Sequence, residues 1–228
     1  MSTKAKVGIV QFPGTNCEYD TQHAFAALGC DTQILWHKET TIPAGIDLVV
    51  VAGGFSYGDY LRSGAIAKMS PIMKALKTYA QAGGKVLGIC NGFQVLTETG
   101  LLPGALKRNE GLHFISRHHH LKVVANDNAF LSHCTVGDVV NIPIAHHDGN
   151  FYIDQEGLQS LYANHQVLLQ YTDESGQISN PNGSVDSIAG ICNAEKNVFG
   201  LMPHPERAME SLLGSDDGRR MLEGFLSA

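Results

Sequence analysis

The segment that most restricts the fold is Lys85 to Gln94, KVLGICNGFQ. Its apolar run, Val86 to Ile89, reads as a buried strand that ends at Cys90, and a helix follows at once to about Thr99. Gly88 and Gly92 stand two residues to either side of the cysteine. A strand that turns within one residue into a helix is the grammar of a nucleophile elbow, here with sulfur in place of a hydroxyl. Small neighbours are required where a side chain is lifted above a sheet on a strained turn. The unpaired N–H groups that open a helix favour negative charge on the sulfur. By itself, G-x-C-x-G fits a buried strand-end cysteine equally well, because free cysteine is among the most buried residue types.

The rest of the first hundred residues repeats the strand–helix alternation. Val7 to Phe12 is a short apolar strand closed by Pro13-Gly14, and a helix over about Tyr19 to Leu28 stops at Gly29. Thr32 to Trp36 alternates into a second strand. Asp47 to Ala52 is a continuous apolar strand of the kind buried on both faces of a parallel sheet. The loop Gly53 to Asp59, GGFSYGD, ends it, and helical spacing returns from about Ile66 to Gln81. This pattern predicts a doubly wound, mostly parallel α/β sheet flanked by helices, with ligands at the carboxyl ends of the strands. The second half is richer in β structure, with strands expected at Leu121 to Ala125, Val139 to His146, Gln166 to Tyr171, Ser187 to Asn193 and Asn197 to Met202. A last helix from near Asp216 should carry Met221, Leu222 and Phe225 inward. With no internal repeat or linker, residues 1–228 are expected to form a single domain.

Composition removes several function classes. The formal charge, 16 − 22 = −6, gives no electropositive surface for nucleic acid. No apolar run reaches membrane-spanning length, and MSTKAKVGIV meets Gln11 and Pro13 too soon for a signal segment. Five cysteines, with no CxxC pair, point to reduced thiols in a cytoplasm. Neither G-x-x-x-x-G-K-[ST] nor G-x-G-x-x-G occurs.

A catalytic thiol needs a base, and the chain has eleven histidines. His118-His119-His120 and His146-His147-Asp148 are read as surface or loop polar groups, because neighbours on a strand alternate faces and cannot converge on a metal. His204 lies in Met202-Pro203-His204-Pro205-Glu206, directly after an apolar strand. The flanking prolines exclude helix, so the segment is expected to be extended and stiff, with Glu206 two residues on and able to reach the ring. A carboxylate there would fix the tautomer of the imidazole and stabilise its cation. A proline-rich turn with an exposed His and Glu would carry the same letters.

Taken together, FPGTNCEYD (12–20), GGFSYGDYLRSGAIA (53–67), GICNGFQ (88–94), NPNGS (180–184) and GLMPHPERA (200–208) resemble class I glutamine amidotransferases. Within them, these motifs resemble one family, the glutaminase subunits of phosphoribosylformylglycinamidine synthase of purine biosynthesis. The resemblance implies a flavodoxin-like fold and a triad of Cys90 as nucleophile, His204 as base and then acid, and Glu206 as its orienter. It places the oxyanion hole on backbone N–H groups of Asn91 and of Gly54 and Phe55, and gives Gln94 a part in holding substrate glutamine. It implies no metal or organic cofactor in this chain. ATP and magnesium would bind a synthetase partner, with a small accessory subunit in the same complex. Residues 145–151, AHHDGNF, depart from the His-Gly-Glu-Gly run expected there, and Cys17 is read as structural because nothing around it in the sequence supplies a base. Two other readings are a stand-alone cysteine hydrolase, which the long motifs outside the triad disfavour, and a non-catalytic subunit, which an intact Cys90, His204 and Glu206 disfavours.

Overall fold

The computed structural model describes residues 4–226. The strands and helices run in the order β1 (Lys6–Gln11), α1 (Glu18–Ala27), β2 (Asp31–Trp36), β3 (Leu48–Val51), α2 (Pro71–Gln81), β4 (Lys85–Ile89), α3 (Asn91–Glu98), β5 (Ala105–Lys107), β6 (Ile115–Val123), β7 (Val139–His146), β8 (Asn150–Tyr152), α4 (Gln155–Ala163), β9 (Val167–Thr172), β10 (Ile188–Cys192), β11 (Val198–Leu201) and α5 (Asp217–Glu223). Nine strands form one sheet in the order β2-β1-β3-β4-β11-β10-β9-β6-β7, and β5 pairs with β8 separately.

The order explains the sequence pattern. From β2 to β11 every neighbouring pair is parallel, and these strands include the continuous apolar runs. From β11 to β7 every pair is antiparallel, which is the β-rich second half. β1 sits between β2 and β3, so the chain winds outward from β1 to β2 and then returns across β1 to β3, a reversal of strand order that opens a crevice at its carboxyl end. The side chains of β3 and β4 that face the core are fully buried, as a strand covered on both faces requires. No helix among the described residues is long and apolar enough to cross a membrane.

The structure departs from the expected elements at identifiable places. α2 begins at Pro71, not near residue 66, because the residue before a proline is driven out of the helical region: Ser70 has φ −65° and ψ 141°. A short 3₁₀ turn, Ala67–Met69, precedes it. β6 starts six residues before the expected Leu121 and takes in all three consecutive histidines. α4 lies where the sequence pattern predicts no element; Asp154 caps it by accepting a hydrogen bond from the Gly157 N–H at 2.8 Å.

Packing at the elbow gives a direct prediction. A Cβ at Gly92 would lie 1.9 Å from the Val51 carbonyl oxygen, and one at Gly88 would meet the backbone of Gly92 at 2.8 Å. These are backbone obstacles that no rotamer change relieves. Gly92→Ala should therefore destabilise the fold by about 3 kcal/mol or more. The urea midpoint would fall at unchanged m value, and an unshifted midpoint would contradict this packing.

Candidate active site

The carboxyl ends of β1, β3, β4 and β11 deliver four segments to one edge: 12–17, 53–59, Cys90 and 202–207. Cys90 has φ 50° and ψ −107°, a left-handed, strained backbone at the junction of β4 and α3. Its carbonyl accepts the first helical bond, from the Gln94 N–H at 3.2 Å. As the first residue of α3, Asn91 presents an N–H with no intrahelical acceptor beside the sulfur. The Cys90 thiol itself lies 3.5 Å from the Ala145 carbonyl. The elbow expected from KVLGICNGFQ is present in full.

His204 and Glu206 are both buried, at 1% and 3% exposure, and the His204 Nδ1 is 2.6 Å from Glu206 Oε1. The route differs from the expectation of an extended segment. Pro205–Arg207 forms one 3₁₀ turn, since proline suits the first position of a helical turn. The turn still folds Glu206 back onto the ring. Burial alone would lower the His204 pKa, but the Glu206 carboxylate and then the sulfur of Cys90 act against it, and the net direction is well above the ordinary histidine value of 6.5. The outer nitrogen, Nε2, is buried and makes no hydrogen bond among the described residues.

Cys17 is the correction. The sequence around it supplies no base, yet its sulfur, a His204 nitrogen and a Glu206 oxygen lie within 4.8 Å of one another. The Arg207 Nη2 donates to the Cys17 sulfur at 3.2 Å, and Arg207 Nε is 2.9 Å from Asp20 Oδ2. Burial nevertheless raises the Cys17 pKa above 9.0 against the pull of His204 and Arg207, which keeps it a thiol. Cys17 has an ordinary φ of −107°, without the elbow strain of Cys90.

Two cavities meet at Cys90. The larger, of about 590 Å³, is lined by Gly54, Asp59, Cys90, Gln94, Arg108 and Asp148 among others. The smaller, of about 240 Å³, is lined by Cys17, Phe55, Cys90, Phe114, His204 and Arg207 among others. Of the two, only the larger has Gln94 on its wall, and it is roomy enough for an amino acid. The Gln94 side chain is itself held between two partners, accepting from Asn91 Nδ2 at 2.8 Å and donating to the Asp148 carbonyl at 2.7 Å. Asn91 Oδ1 accepts from the Ser56 N–H at 3.0 Å, tying the 53–59 loop to α3. Phe55, expected to offer its N–H to an oxyanion, donates it to the Gly14 carbonyl at 2.9 Å. Gly54, with φ 144°, packs so closely on Thr15 and Asn16 that a Cβ would come within 2.7 Å of either backbone.

The histidine pairs correct a second expectation. His119 and His146 are buried, not surface groups. His119 Nε2 donates to the Ser179 carbonyl at 2.9 Å, and His146 Nδ1 pairs with Asn109 Oδ1 at 3.1 Å. Burial first, and then the neighbouring His204, bring the His146 pKa to about 4, so it is neutral near pH 7. Residues 145–148 of the departing 145–151 stretch, the end of β7 and the turn after it, line the larger cavity.

A strained cysteine at a strand–helix elbow, with a buried histidine–carboxylate pair on the same edge of an open α/β sheet, is the arrangement of a class I glutamine amidotransferase. Residues 4–220 match the CobB/CobQ-like glutamine amidotransferase domain. A phosphoribosylformylglycinamidine synthase subunit PurQ from Sulfurimonas denitrificans is 74% identical over 98% of this chain and 100% of its own. One from Wolinella succinogenes is 62% identical over 96% of this chain and 98% of its own. The solved structure of PurLQS from Thermotoga maritima contains a chain that superposes with a TM-score of 0.88 at 38% identity, covering 98% of both. The chain belongs to the PurQ family of phosphoribosylformylglycinamidine synthase subunits.

Proposed function

We propose that this chain, working as one glutaminase domain, hydrolyses glutamine and hands the ammonia to a synthetase subunit in the cytoplasm. That partner converts formylglycinamide ribonucleotide and ATP to formylglycinamidine ribonucleotide. The observation that carries the reading is the buried His204–Glu206 pair, bonded at 2.6 Å, on the same edge as the strained Cys90.

The chemistry follows from the positions. Cys90 thiolate adds to the side-chain amide carbon of glutamine, and the Asn91 N–H stabilises the oxyanion, joined by a backbone donor of the 53–59 loop. His204, held as its cation by Glu206, gives its proton to the leaving nitrogen. Ammonia departs and a glutamyl thioester remains. Neutral His204 then takes a proton from water as the hydroxide adds to the thioester carbonyl. Collapse expels Cys90 thiolate, glutamate leaves, and the histidine cation is restored. Every step uses groups of this chain and water.

ATP and magnesium are assigned to the synthetase partner, with a small accessory subunit completing the complex. The Thermotoga maritima relative belongs to a structure of PurLQS, which supports a multi-subunit assembly. Ammonia in water near neutral pH is mostly protonated and no longer nucleophilic, so hydrolysis uncoupled from the partner would waste glutamine. The 53–59 loop is suited to control it: its Phe55 N–H is engaged by Gly14, and Tyr57, Gly58 and Asp59 all hold positive φ. Such a backbone can exchange one donor arrangement for another. The purified chain is expected to hydrolyse glutamine slowly, and to accelerate at least about tenfold when synthetase, ATP and nucleotide substrate are added. Full activity from the chain alone, unaltered by the partner, would favour a stand-alone hydrolase.

A further inference from the structure

The larger cavity carries charges that the hydrolysis does not use. Glutamine brings two charged groups at its α-carbon, an ammonium and a carboxylate, and the cleaved amide is remote from both. Three cations line the cavity: Arg62, Lys107 and Arg108. Arg62 is committed to Glu98, with its Nη2 2.8 Å from Oε2. The Lys107 ammonium lies 4.0 Å above the ring of Tyr152. Arg108 is mostly exposed, and its nearest carboxylate, Asp148, is 3.9 Å away. Arg108 is thus the cation left with an uncommitted planar fork, the geometry that matches a carboxylate.

The anions point the same way. Asp59 and Asp148 line the cavity together with Cys90. Asp148 has partners: Ser63 Oγ donates to it at 2.9 Å, and His147 Nδ1 is 3.0 Å away. Asp59 forms no ion pair among the described residues. Its Oδ1 accepts from Asn91 Nδ2 at 3.3 Å, and Asn91 follows Cys90 directly, so this carboxylate stands one side chain from the nucleophile. Burial raises its pKa to about 6, with Asp148 adding to the shift against hydrogen bonds from Ser63 and Asn91. A partly buried carboxylate without a cation is costly until one arrives.

We infer that Asp59 receives the α-ammonium and Arg108 the α-carboxylate of the substrate, making these two residues the determinants that select a free α-amino acid. The inference rests on the glutaminase reading above. The 590 Å³ cavity then divides into a reacting end at Cys90 and an α-carbon end between Asp59 and Arg108. Substrates lacking either charge leave one of these groups unmatched.

The test uses the complex with its synthetase and compares kcat/KM for glutamine, for 4-carbamoylbutanoate, which lacks the α-amino group, and for glutamine α-amide, which lacks the carboxylate. The wild type should prefer glutamine over either analogue by about 100-fold or more. Asp59→Asn keeps the shape and tolerates the positive φ of this position. It should lower the glutamine value about 30-fold, through KM, while the 4-carbamoylbutanoate value changes by less than about threefold. Arg108→Gln should erase the preference over the α-amide in the same selective way. Equal losses on glutamine and its analogue would overturn the assignment, since a residue acting only through Asn91 and the loop cannot sense the α-amino group. So would a wild type that turns over both alike. A wild-type complex that leaves glutamine untouched removes the glutaminase reading itself, and this inference with it.

Discussion

Cys90→Ser is expected to abolish glutamine-dependent synthesis by the complex, a loss of at least about 10⁴-fold, while ammonia-dependent synthesis continues at the wild-type rate. The substitution leaves the elbow intact, because serine is slightly smaller and meets the same φ of 50°. What disappears is the sulfur nucleophile. A serine hydroxyl is far less acidic, and a histidine held as its cation by Glu206 is poorly placed to deprotonate it. Unchanged ammonia-dependent synthesis separates this chemical loss from unfolding or failed docking. Near-normal glutamine turnover by the mutant would remove Cys90 from the mechanism.

Glu206→Gln is expected to lower kcat by about 10² to 10³-fold with a small effect on the glutamine KM. The carboxylate lies 2.6 Å from His204 Nδ1 and has no reason to touch substrate. Loss of the equivalent orienter in a serine triad costs about 10⁴-fold, and a thiolate needs less assistance than a hydroxyl. The same change has a pH signature. With the carboxylate gone, burial of His204 is opposed by less charge, and its pKa falls. In the wild type a raised histidine pKa stabilises the folded state fully below the unfolded value near 6.5, and that contribution is lost as pH climbs through the folded value. The stability difference between wild type and mutant should therefore narrow above neutral pH. Unaltered kcat would exclude Glu206 from the triad.

Residues whose positions follow from local backbone grammar are legible in the sequence. The elbow needs only the run KVLGI, one turn and a helix, all contiguous, and the Gly92 contact with Val51 shows why glycine is required. His204 and Glu206 are two residues apart, so their pairing survives even though the intervening backbone is a 3₁₀ turn and not a strand. The parallel half of the sheet is legible because strands buried on both faces must be continuously apolar. Contacts made by sheet order are not. Cys17 meets His204 only because β1, β3, β4 and β11 end at one edge, a fact that spacing along the chain does not encode. The polarity of His119 and His146, taken residue by residue, points to the surface. Their burial depends on the pairing of β6 with β7 and β9 and on the acceptors Ser179 and Asn109. The end of β7 and the turn after it, residues 145–148, become part of the site wall through the antiparallel half, whose register no local pattern announces.

Two thiols stand near one histidine, so the identity of the nucleophile is the central claim. The most direct measurement is covalent labelling of the complex with a chloroketone analogue of glutamine, followed by intact mass and peptide sequencing by mass spectrometry. The structure predicts one equivalent per chain, carried by Cys90, with labelling prevented by excess glutamine. It also predicts that Cys17, confined to the smaller cavity and held as a thiol by burial, stays unmodified. Label found on Cys17, or labelling that persists at full rate in Cys90→Ser, would contradict the account.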